Sequence, residues 1–221
     1  MTATMLNIAD AATTRVLGPG LRAAVWVQGC PFRCQGCMAP QWIPRRRAHL
    51  VSTEDLAERL LALPGLRGLT FSGGEPMEQA AGLASLCARV RSRSPGFDVI
   101  CFTGYRLTRL RRDPPAPGVA ELLAQVDVLI DGPYVAALDD GIGLRGSSNQ
   151  TVHHLTERLL DHADELARAP RSAEVLVRGD DVVITGVPPR HLLHSIRQTL
   201  GSPATAPGTQ PTDPVARRDA P

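Results

Sequence analysis

Four short apolar runs, separated by segments with helical periodicity, mark the first 130 residues of the chain. They predict strands at residues 22–28, 68–71, 98–103 and 126–130. The intervening segments predict helices at residues 52–63, 78–93, 107–112 and 119–125. Ser52 with Asp55 gives a capping-box-like start to the first helix. Strands and helices that alternate with short connections are typical of right-handed βαβ units, so the pattern predicts an α/β fold with a mainly parallel sheet.

Each predicted strand is followed by a motif rich in glycine or polar residues. Three cysteines follow the first strand, and the Gly-Gly-Glu sequence at 73–75 follows the second. Thr-Gly-Tyr at 103–105 follows the third strand and Asp-Gly at 131–132 follows the fourth. Because the carboxyl ends of parallel strands meet at one edge of a sheet, we expect these motifs to lie together. In parallel α/β folds that edge carries the active site.

The pattern becomes less regular after residue 131. The later elements are, in order, a glycine-rich loop at 139–149, a polar segment to 169, a hairpin with strands at 174–177 and 182–185, a short helix at about 191–200, and a tail from residue 201. Within the polar segment we expect His153 and His154 to be surface or capping residues. The tail consists largely of Pro, Thr, Ala and Gly, which predicts disorder.

Charge and composition exclude several classes of protein. The 221 residues include 24 basic and 22 acidic side chains, a formal net charge of +2, and every basic residue is arginine. Without lysine there is no pyridoxal phosphate Schiff base, no Schiff-base aldolase and no phosphate loop of the Gly-Lys-Ser/Thr type. The balanced charge argues against a nucleic-acid binder. We find no transmembrane stretch and no signal peptide, so we expect a cytoplasmic protein with reduced thiols.

The cysteines at 30, 34 and 37 form a C-x3-C-x2-C run whose thiolates can converge on one metal centre. Structural zinc normally takes four protein ligands. The candidates for a fourth ligand are His49, Cys87 and Cys101. Cys87 falls in a predicted helix and Cys101 in a predicted strand, where cysteine usually acts as a small buried hydrophobe. Three thiolates suit a [4Fe–4S] cluster with one open iron.

With the motifs around it, this cysteine run gives the chain a resemblance to the radical S-adenosylmethionine superfamily. Within the superfamily the chain is most similar to the activating enzymes of anaerobic ribonucleotide reductase, a branch of the glycyl-radical-enzyme activases. The motifs that carry the similarity are Gly18-Pro19-Gly20, the cysteine run, Gly73-Gly74-Glu75-Pro76, Thr103-Gly104-Tyr105, Val128 to Gly132 and Arg145 to Gln150. The resemblance implies a partial parallel (βα) barrel over residues 1–155, followed by a C-terminal extension at 156–200 and the tail at 201–221.

The resemblance also implies a mechanism. Cys30, Cys34 and Cys37 would hold three irons of the cluster, and S-adenosylmethionine would chelate the fourth through its amino and carboxylate groups. One electron, from a flavodoxin or ferredoxin, would cleave the sulfonium to methionine and a 5′-deoxyadenosyl radical. In the activases that radical takes a hydrogen atom from a backbone glycine of a partner glycyl-radical enzyme.

Further residues are candidates for contacts with S-adenosylmethionine through the same resemblance. Gly73 and Gly74 would let the backbone approach its methionine part, and Glu75 would accept a hydrogen bond from its ammonium group. Gly36 and Met38 flank the last cysteine, and Met38 stands where the family often has an aromatic residue near the adenine. The candidates for the ribose or amino group are Thr103 and Asp131.

One position departs from the family pattern. The segment after the fourth strand commonly carries a lysine near the carboxylate of S-adenosylmethionine, whereas this chain has Pro133 there. We therefore expect another cation to replace it, and Arg145 is the candidate. Arginine can grip a carboxylate with its planar fork, but the two side chains are not equivalent in such a site.

Two other interpretations stay open. The extension past residue 155 lies outside the resemblance, which motivates an enzyme of the same branch that modifies a different peptide or small molecule. The third interpretation is a three-cysteine metal-binding protein without catalytic activity.

Overall fold

The structure, a computed structural model, describes residues 4–178 and 181–188 together with Leu192, Ser195 and Gln198. Its strands are β1 (Met5–Thr14), β2 (Arg22–Val27), β3 (His49–Ser52), β4 (Gly68–Gly73), β5 (Asp98–Thr103), β6 (Val128–Asp131), β7 (Thr151–His154), β8 (Ala173–Arg178) and β9 (Asp181–Gly186). Its α-helices are α1 (Thr53–Leu61), α2 (Ala80–Arg93), α3 (Leu107–Arg112), α4 (Val119–Leu123) and α5 (Ala163–Arg168). Short 3₁₀ turns cover Pro40–Trp42, Pro76–Gln79, Ala136–Leu138 and Leu160–His162.

Within the described residues, seven strands form one sheet in the order β3-β1-β2-β4-β5-β6-β7. The central strands β2, β4, β5 and β6 run parallel, and the outer pairings of β1, β3 and β7 are antiparallel. β8 and β9 form a separate hairpin. The predicted mixed α/β fold with a mostly parallel sheet is therefore confirmed.

The sequence pattern missed the outer strands β1, β3 and β7, because none of them has a clean hydrophobic alternation. In β1 a register shift between Ile8 and Asp10 breaks the alternation after Leu6 and Ile8. β7 is short, and none of its residues is fully buried. His153 in this strand, expected to be a surface or capping residue, is partly exposed, and its Nε2 atom lies 3.0 Å from a carboxylate oxygen of Asp131.

The predicted helices agree more closely with the structure. The Ser52 hydroxyl accepts a hydrogen bond from the Asp55 amide at 3.0 Å and caps α1 as expected. α3 has the predicted bounds, and α2 begins after a 3₁₀ turn at Pro76–Gln79. The helix predicted at 191–200 lies outside the described residues apart from the three isolated positions, as does the tail from residue 201.

Both faces of the parallel strands are buried, which explains why their sequences read as continuous apolar runs. On β2, Val25 and Val27 pack on the helix side with residues of α1, α2 and α4. Ala24 and Trp26 alternate with them and face the other way. That second face is covered by residues from later in the chain, namely Leu144, Leu159, Leu166 and Val187.

The amino ends of the parallel strands hold buried ion pairs. Arg22 is fully buried, and its guanidinium lies 2.5 Å from the Asp98 carboxylate. The same guanidinium donates to the Thr70 hydroxyl at 2.8 Å and to the Leu69 carbonyl at 2.6 Å. Asp127, one strand further along, is held by Arg91 at 2.6 Å. This edge of the sheet is therefore closed by matched charges.

No helix in the described part of the chain is long and apolar enough to span a bilayer.

Candidate active site

The three cysteines of the C-x3-C-x2-C run lie on the loop that leaves β2 at the carboxyl edge of the sheet. Backbone hydrogen bonds hold the loop: the Cys30 amide donates to the Ile43 carbonyl at 3.0 Å, and the Cys37 amide donates to the Cys34 carbonyl at 3.1 Å. All three thiols are free and half-buried. They line one cavity of about 230 Å³. Among the described residues, no three His, Cys, Asp or Glu side chains are arranged so that they could hold a single metal ion.

Burial is the main cause that raises the pKa of the Cys30 thiol to about 12, with smaller contributions from the nearby Glu75 carboxylate and the other two cysteines. The pKa of Cys37 is raised for the same reason, mainly burial. Without a cation in the cavity these thiols hold their protons. A metal centre that takes thiolate ligands would displace those protons, as metal binding to cysteine generally does.

The Gly-Gly-Glu loop after β4 packs directly against the start of the cysteine loop. Gly73 has a φ of +98°, and a Cβ there would lie 2.7 Å from the Trp26 side chain. A Cβ on Gly74 would lie 2.2 Å from the Gly29 carbonyl oxygen. The Glu75 amide donates to that same carbonyl at 2.8 Å. The glycines are thus required by the contact between the two loops, and both also line the cavity.

Glu75 is a buried carboxylate, 1% exposed, that also lines the cavity. Its Oε1 atom accepts hydrogen bonds from the Met77 amide at 2.9 Å and the Thr103 hydroxyl at 2.8 Å. Its Oε2 atom accepts one from the Gly104 amide at 2.8 Å. Burial raises the pKa of Glu75 to about 7 despite these three donors. Since a carboxylate has about four acceptor positions, Oε2 retains capacity for one more donor.

The remaining predicted contacts divide into two groups. Thr103 and the half-exposed Met38 line the cavity. Gly36, Asp131 and Arg145 are not among the lining residues. The Asp131 carboxylate accepts from the Leu107 amide at 2.7 Å at the start of α3, and Arg145 pairs with Asp140 at 2.6 Å. Arg145 is thus turned toward an acidic neighbour, and its replacement of the family lysine stays a prediction.

The structure adds lining residues that sequence reasoning did not select. Trp26 and Trp42 stack at a tilt with ring centroids 5.6 Å apart, and both face the cavity. Tyr134, next to the unexpected Pro133, also lines it. The other additions are Leu17, Phe32, Ala39, Gln41, Ser72, Phe102, Ile184, Gly186 and Val187, and Gly146 and Gln150 of the predicted Arg145–Gln150 motif line the cavity as well. Among these additions, Trp26 had a signal in the sequence, because a tryptophan stands near the end of an apolar strand.

Cys87 and Cys101 are fully buried, as expected for small hydrophobes. Both lie in the core on the helix side of the sheet, away from the residues that line the cavity. The cysteine set of the site is therefore Cys30, Cys34 and Cys37.

Comparison with known proteins places this site in a family. The profile of the 4Fe-4S single cluster domain family matches residues 16–153, more than half of the chain. A relative from Vibrio cholerae serotype O1 is 34% identical over 149 residues, which cover 64% of this chain and 92% of the relative. A relative from Escherichia coli K12 is 33% identical over 149 residues, which cover 63% of this chain and 92% of the relative. A crystal structure of QueE from Escherichia coli matches 45% of this chain and 52% of that chain with a TM-score of 0.36 and 19% identity, too loose an overlap to support an argument.

The chain therefore belongs to the 4Fe-4S single cluster domain family. The Vibrio and Escherichia relatives are both named anaerobic ribonucleoside-triphosphate reductase-activating protein. The resemblance to the activating enzymes of that reductase, predicted from the motifs, is confirmed.

Proposed function

We propose that this chain is a radical S-adenosylmethionine enzyme of the glycyl-radical-activating type. The observation that carries the proposal is the meeting of three free thiols, the Gly73–Glu75 loop and Thr103 in one cavity at the carboxyl edge of the parallel strands. The residues fit a [4Fe–4S] cluster held by Cys30, Cys34 and Cys37, because three half-buried thiols line a common space with no acidic side chain but Glu75 among its described lining. When bound, such a cluster supplies the electron that cleaves S-adenosylmethionine to methionine and a 5′-deoxyadenosyl radical.

The protein's own contribution is to bind and shield S-adenosylmethionine. Glu75 has an acceptor position left on Oε2 and would take a hydrogen bond from the ammonium group, which favours the ionised carboxylate. Thr103 donates to Glu75 and so orients that carboxylate rather than being free for the ribose. Met38, Trp26 and Trp42 supply apolar surface for the adenine and exclude water from the cleaved bond.

The names of the relatives support a protein substrate. We assign the hydrogen donor as a backbone glycine of a partner enzyme of the anaerobic ribonucleotide reductase type. One hydrogen atom would pass from the glycine Cα to the 5′-carbon, leaving 5′-deoxyadenosine and a glycyl radical. The electron for each turnover would come from a flavodoxin or ferredoxin. The free state of all five cysteines supports a reducing compartment such as the cytoplasm.

A partial barrel over residues 1–155, followed by an extension, belongs to the same proposal. The family match over 16–153 supports that boundary. The cavity lies on the face of the sheet turned away from α1 and α2, where Trp26 and Phe102 project from β2 and β5. A sheet that curves around this face would enclose the ligand as a partial barrel does.

A second function is favoured by one observation. Ile184, Gly186 and Val187 belong to the C-terminal extension and line the cavity, so this chain's substrate would meet a wall that lies outside the family match. That arrangement suits an enzyme of the same branch acting on another peptide or a small molecule. Incubation with an anaerobic ribonucleotide reductase separates the two, because only the activase creates a glycyl-radical signal by electron paramagnetic resonance on that partner.

The experiment that tests the proposal is anaerobic reconstitution with iron and sulfide, followed by reduction in the presence of S-adenosylmethionine. We expect visible cluster absorbance and equal amounts of methionine and 5′-deoxyadenosine. Cys30→Ala should abolish both, and Cys87→Ala is the matched control because its thiol is buried away from the cavity. A cluster that forms without yielding 5′-deoxyadenosine would refute the radical mechanism. A parent chain that forms no cluster would leave only the non-catalytic interpretation.

A further inference from the structure

The C-terminal extension at 156–200 lies beyond the family match, which ends at residue 153. The Vibrio relative is covered over 92% of its length by only 64% of this chain. Nevertheless the extension packs onto the same face of the sheet as the cavity. Val187 is 5% exposed and packs in the cluster that contains Leu17 and Trp26.

The extension also binds the glycine-rich loop at 139–149 through backbone hydrogen bonds. The Gly143 amide donates to the Ala169 carbonyl at 2.9 Å, and the Leu144 amide donates to the Leu166 carbonyl at 2.8 Å. A Cβ on Gly143 would lie 2.4 Å from the Ala167 carbonyl oxygen, so the two segments are in direct backbone contact. The loop therefore has its position set by the extension.

Arg171 is the side chain at the centre of this contact. Its side chain is 1% exposed, and its Nη1 atom lies 2.5 Å from Oδ1 of Asp139. Its Nη2 atom donates to the Arg145 carbonyl at 2.6 Å. One guanidinium thus holds both ends of the segment 139–145. A buried arginine with this geometry is much harder to replace than an exposed one, because removing it leaves Asp139 buried with one fewer positive partner.

Two contacts connect the Arg171–Asp139 ion pair and the loop it holds to the cavity. The second oxygen of Asp139 accepts a hydrogen bond from the Tyr134 hydroxyl at 3.2 Å, and Tyr134 lines the cavity. Gly146 follows Arg145 and also lines the cavity, and a Cβ there would lie 3.0 Å from the Tyr134 ring. A continuous series of contacts thus connects the side chain of Arg171 with this wall of the cavity.

We propose that Arg171 is a positioning residue, which fixes the glycine-rich loop and, through Asp139, the Tyr134 wall of the cavity. The C-terminal extension then controls how tightly the cavity holds its ligand. In naming S-adenosylmethionine as that ligand the inference rests on the proposed function. The position of the loop itself does not depend on it.

The test combines hydrogen exchange of the metal-free protein with binding of S-adenosylmethionine to the reconstituted protein. Arg171→Met should speed amide exchange in residues 139–150 at least about tenfold relative to the parent, with α2 unchanged. The dissociation constant for S-adenosylmethionine should rise about tenfold, while iron and sulfide per chain stay at the parent level. Arg171→Lys should recover part of both effects, because it keeps the charge beside Asp139. Arg168→Ala is the matched control, since its side chain is 79% exposed and pairs only loosely with Asp164, at 3.7 Å.

If Arg171→Met does not fold, the double variant Asp139→Asn with Arg171→Met removes both charges and is measured in its place. Unchanged exchange in residues 139–150 overturns the inference, and so does binding that weakens equally in Arg168→Ala. A parent protein that does not bind S-adenosylmethionine refutes the proposed function, whereas the exchange measurement still decides the role of Arg171.

Discussion

Asp98 and Asp127 at the amino edge of the parallel sheet and Glu75 at its carboxyl edge are all buried carboxylates, and they differ in what surrounds them. At the amino edge Asp98 meets the guanidinium of Arg22 at 2.5 Å, and Asp127 meets Arg91 at 2.6 Å. At the carboxyl edge Glu75 is equally buried, but the donors found for it are two backbone amides and the Thr103 hydroxyl. Burial raises the pKa of Glu75 to about 7.

This difference distinguishes charged groups that stabilise the fold from charged groups that can bind a ligand. Matched pairs at the amino edge balance each other's cost of burial and leave nothing for a ligand. At the carboxyl edge, burial raises the pKa of Glu75 and of the Cys30 and Cys37 thiols, which shifts these groups toward their protonated forms. A cationic or metal-containing ligand would reverse those pKa shifts. The relief of these buried, unbalanced groups therefore adds to the free energy of binding at this edge.

The largest effect is expected from breaking the amino-edge pair. Asp98→Asn removes the carboxylate beside a fully buried Arg22, which should lower the free energy of unfolding by about 3–5 kcal/mol. Chemical denaturation measures this loss. Binding of S-adenosylmethionine by the folded fraction should be unchanged, and weakened binding would mean that the two edges are not independent.

The pH dependence of stability should reveal the unbalanced carboxyl edge. The folded pKa of Glu75, about 7, lies above the ordinary value of 4.5, so the folded protein binds this proton more tightly than the unfolded chain does. The stabilisation is complete below about pH 4.5 and is lost as the pH rises through 7, by about 3 kcal/mol in the metal-free protein. Glu75→Gln should remove this dependence. Parallel curves for the parent and Glu75→Gln would contradict the assignment.

Ligand binding should respond to the same carboxylate. At pH 8, Glu75→Gln should raise the dissociation constant for S-adenosylmethionine about 10–100-fold, because a charge-assisted hydrogen bond contributes about 1.5–3 kcal/mol. Isothermal titration of the reconstituted protein measures it. Glu78→Gln is a close control, since Glu78 lies on the 3₁₀ turn that Glu75 caps, contacts Arg45 and the Tyr105 hydroxyl, and does not line the cavity. Equal losses in the two variants would remove Glu75 from the ligand site.

The smallest effect is expected from removing Arg67, the partly exposed second partner of Asp98 at the amino edge. Arg67 also contacts Asp98, at 3.2 Å, but its side chain is 44% exposed. Arg67→Ala should therefore change the free energy of unfolding by at most about 1 kcal/mol, measured by the same denaturation experiment. A loss as large as that of Asp98→Asn would show that Arg67, and not Arg22, balances the buried carboxylate.

The sequence predicted the parallel strands and the cysteine loop, because both faces of these strands are buried and their apolar runs are continuous. It also predicted that Glu75 lies at the edge where the strands end. It missed β1, whose register shift breaks the alternation, and β7, which is short and only half-buried.

The partners of individual charges could not be predicted, because they depend on which loops meet in three dimensions. Arg145 was a reasonable cation from its motif, yet Asp140 pairs with it. Arg171 gave no signal in the sequence, since an arginine between two predicted elements is usually solvated, and its burial follows from the packing of the extension on the glycine-rich loop.

The central claim is that the carboxyl edge binds S-adenosylmethionine at a cluster held by Cys30, Cys34 and Cys37. Electron paramagnetic resonance of the reduced, reconstituted protein tests it directly, because the signal reports on ligands of the cluster. The account predicts that one equivalent of S-adenosylmethionine changes the spectrum of the parent, and that Glu75→Gln needs about 10–100 times more of it. A spectrum that stays the same at saturating S-adenosylmethionine would contradict the claim.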